Sequence, residues 1–92
     1  MSGLDEPTPR KSLVVVDPLS PTPLYLQVAD VLAERIRRGV LEVNKPIPSE
    51  TAIQQEFGVA RGTARRAVQE LRDRGLVFTL PQRGTYVADR PR

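Results

Sequence analysis

Three arginines stand close together in the middle of the chain, Arg61, Arg65 and Arg66. A guanidinium group can hydrogen-bond a phosphate or the edge of a guanine base with two parallel donors. On a helix that begins near residue 60, these cations lie in the first turn and a half, where each opposes the helix dipole at a cost of about 0.3 kcal/mol. A bound anion would reverse that cost. The cluster therefore predicts an anionic partner, and nucleic acid fits it well.

The helix that would carry these arginines has one apolar face. At about 100° per residue, its small and aliphatic side chains fall in a single sector: Ala64, Ala67, Val68 and Leu71. The opposite side holds polar residues and glycine: Arg65, Arg66, Gly62, Gln69 and Asp73. Any solvated amphipathic helix shows this division, so the helix alone would not indicate DNA. The elements that precede and follow this helix in the chain are what favour DNA binding.

A short helix and a tight turn precede the arginine-bearing helix. Ser49 is a good N-cap residue, and the apolar positions after it predict a helix that ends near Phe57. Gly58 can adopt the left-handed conformation that ends a helix, and the apolar side chain of Val59 is expected to pack into the turn. This order is typical of a helix-turn-helix, with residues 60–74 as the recognition helix.

A hairpin pattern, residues 76–88, follows the recognition helix. Two β-rich runs lie on either side of the turn Pro81–Gly84. Arg83 at the tip can lie along a DNA backbone or in the adjacent minor groove, and Gly84 permits close approach. The alternative is an ordinary hairpin with a solvated arginine. We predict a wing.

The N-terminal part differs in composition, since four of the nine prolines lie in residues 1–22. We predict a flexible arm there. Its one apolar run, Leu13–Val16, has three interpretations: an edge strand of the small sheet, a self-association patch, or a strip packed on the first helix. That helix is expected to have Thr22 as its cap and Pro23 at its first position, and to run to about Arg38.

These elements predict a mainly α fold with a small β hairpin, a winged helix-turn-helix of three helices and a two-stranded wing. The domain spans residues 23–88, and residues 89–92 form a tail. With 39% hydrophobic residues and four aromatic ones, the core is expected to be small and aliphatic.

Composition excludes several classes of function. The chain has no cysteine and no histidine, so it lacks thiolate sites, the commonest metal ligand and the commonest general base. We expect no enzyme, cofactor or metal. The longest apolar run has four residues, too short for a membrane span or a signal peptide, and a cytoplasmic location is the default. Residues 61–84 contain six arginines and two acidic residues, a local excess that suits a phosphate backbone.

Several short motifs occur in a distinctive order: Pro23-Leu24-Tyr25 with Gln27, Gly39, Ile47-Pro48-Ser49-Glu50, Phe57-Gly58-Val59-Ala60-Arg61, Gly75-Leu76-Val77 and Arg83-Gly84-Thr85-Tyr86-Val87. This order resembles the winged helix-turn-helix domain of the GntR family over roughly residues 23–88. The resemblance implies a bacterial transcription regulator, expected to act as a repressor, whose recognition helix enters the major groove of double-stranded DNA.

The resemblance also implies roles for single residues. It places Arg61 and Arg65 on bases or phosphates, and Thr63 on the DNA backbone. From side-chain chemistry, we expect the first two on guanine edges and four others on phosphates: Ser49, Thr63, Arg66 and Arg83. The N-terminus of the second helix is expected to attract an anion. The full predicted DNA-binding set is Ser49, Glu50, Thr51, Arg61, Gly62, Thr63, Arg65, Arg66, Arg83 and Gly84.

The sequence departs from the family pattern at five positions. Ala60 replaces the usual Ser or Thr cap, Gly62 stands where Thr or Ser is frequent, and Thr51 replaces a frequent Arg. Gln82 takes the place of the first wing glycine, and Asn44 replaces a glycine before Pro46. Asn tolerates positive φ, so the turn at Asn44 is expected to persist. A different sequence preference and a reshaped wing tip are expected.

Family members usually carry a large C-terminal domain that binds an effector and dimerises. We expect no such domain in these 92 residues, whether they form a whole regulator or part of one. Because a single module offers little surface for discrimination, we predict a weak homodimer that forms cooperatively on DNA. A protein-interaction winged helix and an architectural or recombination accessory DNA binder are the alternatives.

Overall fold

The computed structural model describes residues 16–89, in which three helices are followed by an antiparallel hairpin. In chain order the elements are α1 (Leu24–Arg37), α2 (Glu50–Phe57), α3 (Arg61–Asp73), β1 (Val77–Leu80) and β2 (Gly84–Val87). The predicted winged helix-turn-helix is therefore confirmed. The flexible-arm prediction for residues 1–15 and the tail prediction for residues 90–92 fall outside the described residues.

The core lies where the three helices meet the base of the hairpin. All four residues of the predicted apolar sector of α3 are buried, and Ala64, Ala67 and Leu71 are fully so. They pack with buried residues from the other helices and from each strand: Val28, Ala29, Leu32, Ile53, Phe57, Val77 and Val87. This packing fixes which face of α3 points outward, because a helix that buries one stripe must expose the opposite one.

Helix α2 begins and ends where local chemistry requires. The Ser49 side chain accepts a hydrogen bond of 3.0 Å from the backbone N–H of Ala52, which satisfies one of the free donors at the helix start. Gly58 adopts φ +67°, and its N–H donates to the carbonyl of Gln54. A residue with a Cβ would be strained in that left-handed conformation. Both predicted boundaries of α2 are confirmed.

The start of α1 differs from the prediction. Thr22 does not cap the helix. Pro23 is the N-cap, with an extended ψ of 147° and no side-chain cap bond. The side chain of Gln27 binds the segment before the helix instead: its amide donates to the carbonyls of Thr22 and Asp17, and its oxygen accepts from the N–H of Asp17. A residue inside the helix therefore ties the preceding turn to α1.

Part of the apolar run Leu13–Val16 is described. Val16 is half-buried and packs against the core; the three interpretations of the run stay predictions. Leu13, Val14 and Val15 lie outside the described residues.

The segment before α2 extends the small sheet. The N–H of Asn44 donates to the carbonyl of Val87 (2.9 Å), and the N–H of Ile47 donates to that of Thr85 (3.0 Å). Asn44 has φ +63°, so the prediction that asparagine accepts a positive φ at this turn is confirmed. Because this segment occupies one edge of β2 and β1 occupies the other, β2 is the central strand of the sheet.

Helices α1 and α2 are joined by an ion pair, in which both guanidinium Nη groups of Arg35 donate to the carboxylate of Glu56. The guanidinium carbon also lies 5.7 Å from the centre of the Phe57 ring. The hydrogen bonds from Arg35 lower the pKa of Glu56 and outweigh the desolvation, which by itself would raise it. The pair is half-buried, so it is screened less than an exposed one.

Removing this carboxylate gives a pH-dependent prediction. Glu56→Gln is expected to lower the free energy of unfolding at neutral pH by about 1 kcal/mol or less. Since folding depresses the pKa of Glu56 below its ordinary 4.5, the contribution is present above that value and is lost as pH falls through the folded-state pKa. Urea unfolding between about pH 7 and pH 3 measures the loss.

The matched control is Glu42→Gln, because Glu42 is exposed and makes no ion pair within residues 16–89. Its effect should be small at every pH. If the free energy of unfolding of Glu56→Gln stayed below that of wild type by the same amount at every pH, the depressed pKa of Glu56 would be contradicted.

Candidate nucleic-acid interface

An open cleft of about 350 Å³ lies between the N-terminus of α2, the exposed side of α3 and the hairpin. Five residues of the predicted DNA-binding set line it: Ser49, Glu50, Arg65, Arg83 and Gly84. They come from three elements that are separated along the chain by up to 35 positions. The fold therefore brings together a helix N-terminus and two arginines, which is the chemistry of an anion site.

The carboxylate of Glu50 lies close to Arg61 and Arg65, the two arginines expected to contact guanine. Its carboxylate lies 3.7 Å from Nε of Arg61 and 3.5 Å from Nε of Arg65, and both guanidinium groups remain largely exposed. Because the pairs use Nε, the outer edge of each guanidinium stays turned to solvent. Glu50 therefore orients both cations at the mouth of the cleft.

Arg66 lies apart from the cleft. Its guanidinium carbon is 4.1 Å from the centre of the Tyr25 ring, a cation–π contact between α3 and the start of α1. A small hollow there is lined by Tyr25, Arg66, Gln69, Glu70 and Asp73. The structure thus separates Arg66 from Arg65, although the two are adjacent in the sequence, and directs them to opposite flanks of α3.

The remaining predicted residues lie at the N-termini of the two helices. Thr51 is exposed, and Thr63 is half-buried in the first turn of α3. Ala60 occupies the N-cap position of α3 without a side-chain bond, so the departure from a Ser or Thr cap leaves N–H groups there without a capping side chain. Gly62 has open space where a side chain would stand.

Gly62→Ala is expected to raise the free energy of unfolding by about 0.5–1 kcal/mol, because the position is helical and alanine loses less backbone entropy on folding. An added Cβ meets no atom within 4 Å. Thermal unfolding should show a gain of about 2–6 °C. The contrasting variant is Gly75→Ala, also in open space but at φ +78°, which should destabilise. Equal shifts in both variants would contradict the argument.

The hairpin tip is tighter than predicted. Strand β2 begins at Gly84, so the loop contains three residues, Pro81, Gln82 and Arg83. Gln82 has φ +66°, a left-handed conformation that costs a residue with a Cβ about 1 kcal/mol. The side chain of Arg83 makes no hydrogen bond or ion pair with residues 16–89, and it faces the cleft.

Two residues at this surface were missed in the sequence. Arg72 lines the cleft with Arg65 and Arg83, and the ring of Tyr25 makes the cation–π contact with Arg66. A spacing of seven positions, close to two helical turns, puts Arg72 on the same side of α3 as Arg65; this signal could have revealed it. Nothing local in the sequence pairs Tyr25 with Arg66.

Comparison with known proteins decides the family. The model named "Bacterial regulatory proteins, gntR family" matches residues 24–87. The chain belongs to this family. This GntR domain corresponds in extent to α1 through β2, so the family match and the winged helix-turn-helix coincide.

Two curated relatives of this GntR domain are named repressors. It is 39% identical over 69 residues to the HTH-type transcriptional repressor NagR of Bacillus subtilis, and 42% identical over 67 residues to the mannosyl-D-glycerate transport/metabolism system repressor MngR of Escherichia coli. The matches cover 75% and 73% of this chain. In both cases the match spans only 28% of the relative's own length.

Two solved structures share the fold of this GntR domain. The DNA-binding domain of AraR in complex with operator ORX1 superposes with a TM-score of 0.73 at 36% identity, over 80% of this chain and 94% of that one. YtrA from Sulfolobus acidocaldarius, a GntR-family transcription factor, gives 0.69 at 31% identity, over 84% of this chain and 65% of that one. The predicted class, a DNA-binding transcription regulator, is confirmed.

Between residues 16 and 89, no helix is long and apolar enough to cross a bilayer.

Proposed function

We propose that this GntR domain binds a specific double-stranded operator, with α3 in the major groove and the hairpin on the adjacent backbone or minor groove. The observation that carries the proposal is the convergence of Arg65, Arg83 and the N-terminus of α2 on one open cleft. The similarity to a DNA-binding domain solved with its operator supports it.

The predicted residues divide by role. Arg61 and Arg65 read guanine edges with the guanidinium nitrogens that Glu50 leaves free. Ser49, Thr63 and Arg83 hold phosphates on either side of the groove, and Thr51 and Gly62 lie at the helix N-termini that approach the backbone. Arg66, on the Tyr25 flank, contacts a phosphate beyond the cleft.

The proposal includes paired half-sites and repression. A single module buries about 600–1,000 Å² on DNA, which limits discrimination, so two copies on adjacent half-sites are required for a specific operator. We expect the homodimer to be weak in free solution and to form cooperatively on DNA. We further propose that it acts in the cytoplasm and represses by occupying a promoter; two curated relatives that are named repressors support repression.

The test is fluorescence anisotropy of a labelled random-sequence duplex, titrated with the protein across a series of salt concentrations. Each neutralised phosphate contributes a slope of about −0.9 to log affinity against log salt, and we expect several. An operator is then selected from a random pool, and its affinity is compared with that of the random duplex.

A specific duplex bound at least about 1,000-fold more tightly than the random one would support an operator. A flat, weak response to salt would overturn DNA binding and favour the protein-interaction alternative. Steep salt dependence without preference for any selected sequence would instead favour an architectural binder.

A further inference from the structure

A chain of side-chain hydrogen bonds connects α3 to both strands of the hairpin. Nη1 of Arg72 donates to the hydroxyl of Thr79 on β1 (2.6 Å), and the hydroxyls of Thr79 and Thr85 share a hydrogen bond of 2.9 Å across the strands. Nη2 of Arg72 donates to Gln69 (2.7 Å), whose amide donates to Asp73 (2.9 Å). We call these residues the wing tie.

The wing tie acts beyond the point where the hairpin leaves the core. Along β1 only Val77 is buried, and the next three residues are exposed. Thr79 and Thr85 are directly paired in the register, one pair before the pair that adjoins the loop. On its outer edge β2 is held by Ile47, whose N–H donates to the carbonyl of Thr85. Within residues 16–89, Arg72 is the side chain of α3 that hydrogen-bonds to this distal half.

The geometry of Arg72 distinguishes it from the other arginines of the cleft. Both of its Nη groups donate to side chains of the domain itself. Arg83 has no such partner among the described residues. Two of the five N–H donors of Arg72 are committed in this way, one to the hairpin and one to α3, so the guanidinium joins the two elements.

We propose that Arg72 is a positioning residue that sets the angle of the hairpin relative to α3, so that Arg83 and the recognition helix engage one duplex together. This proposal rests on the proposed function and assigns a role to Arg72, to which the proposed function gives none. The wing tie restricts the hairpin before DNA arrives, which reduces the entropy lost on binding.

The test is a double-mutant cycle on duplex affinity with Arg72→Met and Arg83→Ala. Each single variant is expected to weaken binding by about 3- to 10-fold, as for the loss of one phosphate contact. Because Arg72 acts through the position of Arg83, Arg72→Met should weaken the Arg83→Ala protein by less than about 2-fold. Multiplicative effects would overturn the proposal, since they would mean that Arg72 acts on DNA independently.

Thr79→Val is the second variant, because it keeps the charge and shape of the cleft and removes only the hydroxyl. It should reproduce most of the loss caused by Arg72→Met, with a melting temperature within about 2 °C of wild type. The matched control for loss of charge is Arg38→Met, on α1 and outside the cleft, with little effect expected. Full affinity in Thr79→Val would also overturn the proposal.

A readout without DNA separates this proposal from the proposed function. Residual dipolar couplings of the backbone N–H groups of residues 79–85, apart from Pro81, report the orientation of the hairpin in the free protein when they are compared with those of α3. Arg72→Met and Thr79→Val should reduce or change them, and Arg83→Ala should not. Unchanged couplings would overturn the positioning role even if wild type binds DNA. Altered couplings in a protein that does not bind DNA would overturn only the proposed function.

Discussion

Arg65→Ala is expected to weaken binding to the selected operator by about 1–3 kcal/mol and to relax the base preference at one position of each half-site. Arg65 is 60% exposed, lines the cleft and is oriented through Nε by Glu50. Its Nη groups are therefore free for a bidentate contact with guanine. Anisotropy titrations with operators carrying each of the four bases at each position measure both effects.

Arg38→Ala is the matched control, since Arg38 is 69% exposed and lies on α1, away from the cleft. It removes the same charge and should leave affinity and preference nearly unchanged. If Arg65→Ala weakens binding to all sequences equally and lowers the salt slope by about one unit, Arg65 holds a phosphate instead. Unchanged affinity would remove Arg65 from the interface.

Leu71→Ala is expected to lower the free energy of unfolding by about 2–5 kcal/mol, through lost burial and the cavity left behind. Leu71 is fully buried and belongs to the single core formed by the helices and the hairpin base. A domain of this size has only about 5–10 kcal/mol of stability, so much of it would be lost. Urea unfolding should show a lower midpoint with an unchanged slope.

Leu19→Ala is the control for this substitution, because Leu19 is 91% exposed. Its effect should stay within about 0.5 kcal/mol. A Leu71→Ala protein as stable as wild type would mean that α3 does not pack through the sector that includes Ala64 and Ala67. DNA binding by Leu71→Ala should recover at low temperature, where the folded fraction rises.

Local rules were sufficient for the helix-turn-helix itself. A side-chain cap and a left-handed stop depend on residues within four positions, so Ser49 and Gly58 determined the bounds of α2 without knowledge of the rest. The buried face of α3 followed from its periodicity, because a fixed angle per residue determines which side chains share a side. Asn44 kept its turn for the same local reason.

Where local alternatives competed, the sequence was less decisive. Thr22 and Pro23 both suit the start of a helix; the structure has Pro23 as the N-cap, and Gln27 one turn later donates to the carbonyl of Thr22. At the hairpin, Gln82 accepted a positive φ that its side chain disfavours, because strand pairing on both sides of a three-residue loop requires it.

The sequence by itself therefore determined the elements, the family and the concentration of arginines on one helix. Only the tertiary structure decided which of these arginines act together: Glu50 orients Arg61 and Arg65, Tyr25 takes Arg66 to the other flank, and Thr79 binds Arg72. Each of these pairs joins two elements whose relative placement depends on how side chains fill a shared core. That packing is a property of the whole chain, and no window of adjacent residues contains it.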